Sequence, residues 1–504
     1  MKIGYSLLLV SFLFYIHGNA QQIVYSEISK KDTRNIQFNI IGKLGDRILV
    51  YKNIGRTHLI DQYNVDMQWV ESVPLDFIPD KVLEVECIAY ADFFLLIYQY
   101  QKNNVVYCSA AKMNVTGSLL AGPVVLDTTA IGFFASNRIY ATSYSENKQK
   151  ILVYKRSIKN DVLNQATKLF NTLLIALDST RQVFSFNNRK EQYSDIRVAN
   201  SGSFVYAKTI KKQARDLAGN LEVVTHEIGE DSLQTYSLAT QSQWVDDVLI
   251  KIDNLHNNYI VSGFCFNDRR GNINGIYSAV VHPQDTLPIR QAFNPFPDSL
   301  RNTVLGSASF SNAFNDLLGK EMLLKKNGGF VMVGESINTQ TIVNNNAWNR
   351  NYYNDMAYSN LNNYYLYNPG YFGYRPWNDY GRQESVRYNY KDIMIAYIDS
   401  TLQLQWSQMI HKNQSDTDND NFLSFSLLNA GSQVHFFFLE KDRQRGVVSN
   451  YGLLPNGEFV KHPTLKSYDR GYEWMPRLSK QIAANQMIMP FVYSGRIGFA
   501  RIDF

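Results

Sequence analysis

The chain has 504 residues, 45% of them hydrophobic, and its 50 basic and 45 acidic side chains leave a formal charge of +5. That apolar content is ample for a large core, and no run of Lys or Arg is long enough to grip a phosphate backbone, which argues against intrinsic disorder and nucleic-acid binding. Three cysteines (Cys87, Cys108 and Cys265) allow at most one bridge, so a disulfide framework is excluded and three buried small apolar side chains are expected.

The N-terminus reads as a secretory signal over residues 1–20. Lys2 supplies positive charge, residues 6–16 form an apolar stretch too short to span a bilayer, and Gly18, Asn19 and Ala20 are small residues suited to cleavage before Gln21. No later apolar run reaches about 18 residues, so no membrane-spanning helix is expected. Export to the periplasm or association with the outer membrane is the implied address.

Beyond Gln21 the pattern has period two. Short runs rich in Val, Ile, Tyr and Phe alternate with clusters of Asn, Gly, Asp and Ser. Residues 93–100 and 105–113 form one hairpin across Gln101-Lys102-Asn103-Asn104, and residues 259–267 and 275–282 form another. Residues 151–155, 203–209 and 221–228 read as further strands. Only residues 161–176 hint at a helix. The hairpins group into units near 26–80, 81–130, 131–180, 190–240, 244–300, 303–411, 420–465 and 468–504, a period of roughly 45 to 60 residues. This predicts an all-β fold, a β-propeller of seven or eight four-stranded blades occupying residues 21–504 as a single domain. The last unit is short, so a strand near residues 23–28 is expected to complete it.

The sixth unit carries the clearest repeat. Lys326-Asn-Gly-Gly-Phe-Val-Met-Val-Gly-Glu335 is followed by Asp392-Ile-Met-Ile-Ala-Tyr-Ile-Asp-Ser400 and then Leu404-Gln-Trp406. This resembles the blade repeat of exported β-propellers of the Bacteroidota type, over residues 321–410. Residues 431–440 are a degenerate second copy. The resemblance implies glycines at turns and a Trp packed between blades, and it carries no catalytic residue. In size and class the chain is also similar to the plug subunit of the type IX secretion translocon, without a residue motif behind that similarity. A rival reading, an outer-membrane barrel ending in Phe504, fits less well. The apolar runs at Val248-Leu-Ile250 and Phe436-Phe-Phe-Leu439 are short and continuous rather than alternating.

The sixth unit is also twice as long as the others. Its excess, an insertion over residues 338–391, is centred on a segment, 344–390, that holds eleven Tyr and twelve Asn with no Lys and no Ile. Tyr and Trp give large contact area at low entropic cost, and Arg is enriched at contact centres. Trp348, Tyr352, Tyr353, Tyr364, Tyr365, Tyr371, Arg375 and Trp377 are therefore the expected partner-binding residues. Low-complexity disorder and a sugar-stacking platform are the alternatives.

Chemistry is sparse elsewhere. Asp416, Asp418 and Asp420 alternate as a calcium loop would, but Asn421 and Leu427 stand where Gly and Glu are needed, so a solvated loop is favoured over a weak metal site. The histidines show no metal-ligand spacing. Gly306-Ser-Ala-Ser309 lacks the second glycine of a nucleophile elbow. Asp246-Asp247 could serve a propeller glycosidase but more simply marks a turn before Val248. No cofactor is implied. The expected function is a non-catalytic, exported interaction scaffold. Its partner would be a protein of the envelope or outer membrane, met through residues 344–390. A glycan-binding or glycan-cleaving propeller is the alternative.

Overall fold

The computed structural model describes residues 22–28, 36–132, 137–187, 189–211, 218–240, 243–267, 273–297, 300, 316–342, 385–417, 419–442, 445–465 and 471–504. The signal-like segment 1–20 lies outside them. Among the described residues the strands fall into eight antiparallel units in chain order: 36–74, 84–130, 140–185, 191–238, 244–295, 317–410, 425–465 and 472–503. We call these blades 1 to 8. Blades 4 and 5 share one hydrogen-bonded sheet only through the pair Ala218 and Val245. Blade 8 takes its outermost strand from the other end of the chain. Gln22–Tyr25 pairs with Arg496–Asp503, from Gln22 opposite Asp503 to Tyr25 opposite Ala500, as the shortness of the last unit implied.

Neighbouring blades meet face to face, and the apolar clusters follow the ring. Leu49 and Leu96 share the cluster between blades 1 and 2, Ile97 and Val153 that between 2 and 3, and Leu152 and Phe204 that between 3 and 4. Val223 joins Val261, Phe264 joins Met394, Val333 joins Phe436, and Phe437 joins Trp474 in the next four interfaces. Ile48 of blade 1 and Phe499 of blade 8 close the circle. Adjacent residues such as Leu152 and Val153, or Phe436 and Phe437, point into opposite interfaces, because side chains alternate across a strand. Strands buried on both faces need apolar residues at every position, which is why the runs are continuous rather than alternating. The all-β propeller expectation holds, and its faces are stacked rather than closed into one barrel wall.

The repeat of blade 6 performs the structural work its residues suggested. Gly328 adopts φ +81° in the first turn, and a Cβ on Gly334 would sit 2.5 Å from the Phe264 ring of blade 5. Trp406 lies against Gly457 in the last turn of blade 7, so the indole does pack between blades.

Three sequence readings are corrected. Residues 161–176 are not helical. Val162–Phe170 is a strand, and its alternating burial reflects period two rather than a helical stripe. Asp246-Asp247 is not a turn but lies within the strand Trp244–Asp253, where the register shifts between Val245 and Val248. The insertion is also bounded differently, because the strands Phe330–Ile342 and Ser385–Ile398 extend into it.

A turn motif escaped the sequence reading. The turns between third and fourth strands of blades 1, 2, 3 and 6 open on Asn64, Asn114, Asn171 and Asp399. The side-chain oxygen of each accepts hydrogen bonds from the backbone N–H groups two and four residues on, as at Asn171 from Leu173 and Ile175, both at 3.0 Å. Three residues after the Asx, Met67, Leu174 and Leu402 take positive φ (58°, 60° and 66°) and drop their apolar side chains into the ring, each no more than 9% exposed. Asn171→Ala is expected to destabilise by about 1 kcal/mol, read from the urea midpoint, because two backbone donors lose their acceptor.

Candidate functional site

The insertion is mounted on an extension of blade 6, not on a loose loop. Phe330–Ile342 and Ser385–Ile398 pair along their whole length, from Phe330 opposite Ile398 to Ile342 opposite Ser385. Within the blade proper, Phe330 to Glu335 faces Ile393 to Ile398. The register then shifts between Glu335 and Ile337, and pairing resumes with Ile337 opposite Tyr390. On the neighbouring inner strand, Leu317–Leu324, the register shifts at the same level, between Gly319 and Glu321. Bulges bend a strand and re-aim side chains. Here they mark where the blade proper ends and the hairpin extension, which we call the arm, begins. A third strand, Gln414–Thr417, pairs with the arm from Tyr390 opposite Gln414 to Arg387 opposite Thr417. Because turns between second and third strands share one end of the ring, the arm leaves the end opposite the Asx turns.

This corrects the limits of the insertion. Residues 338–342 and 385–391 belong to the sheet, and Tyr390, one of the eleven tyrosines of the 344–390 segment, is fully buried with Leu318, Ile337 and Leu423. The excess that the sheet does not absorb is residues 343–384. Trp348, Tyr352, Tyr353, Tyr364, Tyr365, Tyr371, Arg375 and Trp377 all lie outside the described residues. Arg387 is on the arm and donates to Ser415 Oγ at 3.3 Å.

The bulges gather five charged side chains at the arm's base. Lys412 and Glu335 are fully buried, with Nζ 2.6 Å from Oε1. Lys320, the extra residue of its bulge, stands 3.4 Å from Glu335 Oε2. Ser424 donates to the same carboxylate at 2.6 Å. Lys412 also donates to Gln414 Oε1 at 3.0 Å, and Gln414 in turn accepts from the Ser424 N–H and donates to the Leu439 carbonyl. On the other side of Tyr390, Arg477 from the Pro476–Leu478 turn of blade 8 grips Asp420 through both terminal nitrogens, at 2.9 and 3.2 Å. The Tyr390 hydroxyl donates to Asp420 at 3.2 Å, while Lys320 and Lys412 lie 5.5 and 5.8 Å from its ring centre. The arm is thus tied to its own blade, to the passage into blade 7 and to blade 8.

Burial disfavours the charged carboxylate of Glu335, but the charges of Lys412 and Lys320 and the Ser424 hydrogen bond outweigh it and hold the group below its ordinary range. A depressed carboxyl contributes stability above its unfolded value and loses it as pH falls through the folded one. The cluster's contribution is therefore expected to be complete at neutral pH and to disappear below the ordinary glutamate value of 4.5. Acid unfolding monitored against pH should steepen there in the parent and flatten in Glu335→Gln.

Asp420 is taken by Arg477 and Tyr390, Asp416 Oδ1 accepts the Thr417 N–H at 2.8 Å, and Asp418 lies outside the described residues. Among the described residues no three His, Cys, Asp or Glu side chains converge as a metal set. Among the described residues the histidines have local partners, as His58 with Tyr51 at 2.7 Å and His256 with Asp253 at 2.7 Å. All three cysteines are buried and unbridged, and burial pushes the Cys87 thiol up to about 12. Among the described residues no helix is long and apolar enough to cross a membrane.

No family model matches the chain, and no curated protein matches it. Solved structures do. Prolyl oligopeptidase B from Galerina marginata aligns with TM-score 0.40 and 10% identity over 91% of this chain and 56% of its own, so the chain spans little more than half of that enzyme. The β-propeller domain of the Trilobed protease from Pyrococcus furiosus aligns with TM-score 0.37 and 7% identity over 84% and 94%. The polysaccharide lyase Uly1 aligns with TM-score 0.36 and 9% identity over 83% and 89%.

Proposed function

We propose that the chain is a non-catalytic interaction scaffold whose blade-6 arm presents residues 343–384 to a protein partner of the cell envelope, as an accessory subunit of an outer-membrane complex. The supporting observation is the anchorage of the arm. Two bulges, a third strand and a buried network of five charges hold the base of one hairpin, and an element held this firmly can carry a contact surface without surrendering binding energy to its own ordering. The segment it carries is rich in the residues that dominate protein contacts. The signal-like N-terminus supports the exported address.

The glycan-cleaving reading has less behind it. It needs a carboxyl able to donate a proton beside a second carboxylate. The two buried carboxylates at the arm base are engaged by Lys412, Lys320 and Arg477 instead. The test is native purification from detergent-solubilised envelopes, comparing the parent chain with one in which residues 343–384 are replaced by Asn-Gly. Partners should co-purify with the parent and be lost from the variant. An unchanged set of partners would refute the arm as the contact element.

A further inference from the structure

A second site lies between blades 2 and 3, independent of the arm. Blades 2 and 3 meet there around a cavity of about 250 Å³ whose lining includes Asp127, Tyr140, Lys155, Lys168, Ser179 and Arg181. Its floor follows from strand register. Tyr140, Lys155, Ala166 and Arg181 stand opposite one another across the four strands of blade 3, and Val153, Lys168 and Ser179 form the next row on the same face. In that grid Ala166 alone stops at a methyl group, and it is surrounded by the three long cationic side chains. The small residue makes the hollow, and its neighbours make it positive.

The wall comes from blade 2. Asp127 accepts from Lys155 at 2.6 Å and from Lys168 at 2.8 Å, so one carboxylate fixes two ammonium groups over the floor. Thr129 Oγ1 lies 2.8 Å from Lys155 Nζ and 2.7 Å from the Tyr140 hydroxyl, and the Leu126 carbonyl takes a further bond from Lys168 at 3.3 Å. Arg181 is exposed at the rim. Three cations thus face one anion, a surplus of two positive charges. The lysines are also held in place before any ligand arrives, which removes the ordering cost that usually weakens lysine sites.

We propose that this cavity binds a single oxyanion group (carboxylate, sulfate or phosphate) of a small ligand. The group sits over Ala166, meets Lys155, Lys168 and Arg181, and uses the Ser179 and Tyr140 hydroxyls at its edge. The volume is below that of drug-sized sites and suits one anionic group with a ring or short chain attached.

The test is titration of the full chain with sodium sulfate, sodium phosphate and glucose 6-phosphate at constant ionic strength, read by calorimetry and by thermal midpoint. Saturable binding is expected, weakened at least about tenfold by Arg181→Ala and by Ala166→Leu, which fills the floor without removing a charge. Tighter binding of glucose 6-phosphate than of phosphate identifies an organic ligand as the natural occupant. Equal or weaker binding identifies the free oxyanion. Absence of saturable binding, or unchanged binding in both Arg181→Ala and Ala166→Leu, overturns the proposal.

Discussion

Lys412→Met is expected to cost about 3 to 5 kcal/mol of folding stability, the range found when one partner of a buried ion pair is removed. Glu335 and Lys412 are both fully buried, and the loss leaves a carboxylate with Lys320 at 3.4 Å and Ser424 at 2.6 Å as its remaining partners. Methionine fills the space of the lysine stem, so the loss is electrostatic rather than a cavity. Glu335→Gln in the same background removes the stranded charge. The double variant should therefore be more stable than the sum of the single changes implies, by roughly 1 to 3 kcal/mol of coupling. Urea midpoints of the four proteins decide the matter. If the two changes simply add, or Lys412→Met costs less than about 1 kcal/mol, the cluster does not act as a unit.

The second large effect separates the arm from what it carries. Joining Ile342 to Ser385 through Asn-Gly closes a hairpin whose ends are already paired, and that dipeptide suits a two-residue turn. Stability should be kept or should rise, by up to roughly 3 kcal/mol, because going from the residues between Ile342 and Ser385 to two removes between four and five doublings of connection length at about 0.6 kcal/mol each. Deleting residues 338–391, the insertion as composition alone bounds it, should instead cost about 4 kcal/mol or more. It removes the fully buried Tyr390, its hydrogen bond to Asp420 and the strand that pairs with Gln414–Thr417. Circular dichroism melts of both deletions make the comparison. Equal melting of the two would show that Tyr390 and its sheet are dispensable, and that the arm has no structural base.

Much of the fold was legible because blade strands are short, apolar on both faces and separated by turn residues. Phe436-Phe-Phe-Leu439 could hardly be anything but a doubly buried strand, and it is one. The hairpin across residues 101–104 and the completion of blade 8 by Gln22–Tyr25 followed from the same regularity. The Asx turns were legible in principle, since Asn64, Asn114, Asn171 and Asp399 each stand three residues before a Met, Gly or Leu. The signal is faint because Asn is abundant throughout. The helix suggested for residues 161–176 failed because Val162, Asn164 and Ala166 against Leu163, Gln165 and Thr167 mix polarity on both faces, and burial, not composition, sorts them.

The sequence by itself determined the strand pattern, the ring and the presence of a Tyr/Asn-rich excess in its sixth unit, because these depend on local periodicity and turn chemistry. Only the tertiary structure decided where that excess begins. Tyr390 is a tyrosine like those before it, and a bulge sets which neighbours it meets. Nor could the chain alone pair its buried charges. Ser424 meets Glu335 across 89 positions and Arg477 meets Asp420 across 57. Such meetings depend on how blades stack around the ring, a long-range property that no local pattern of residues encodes.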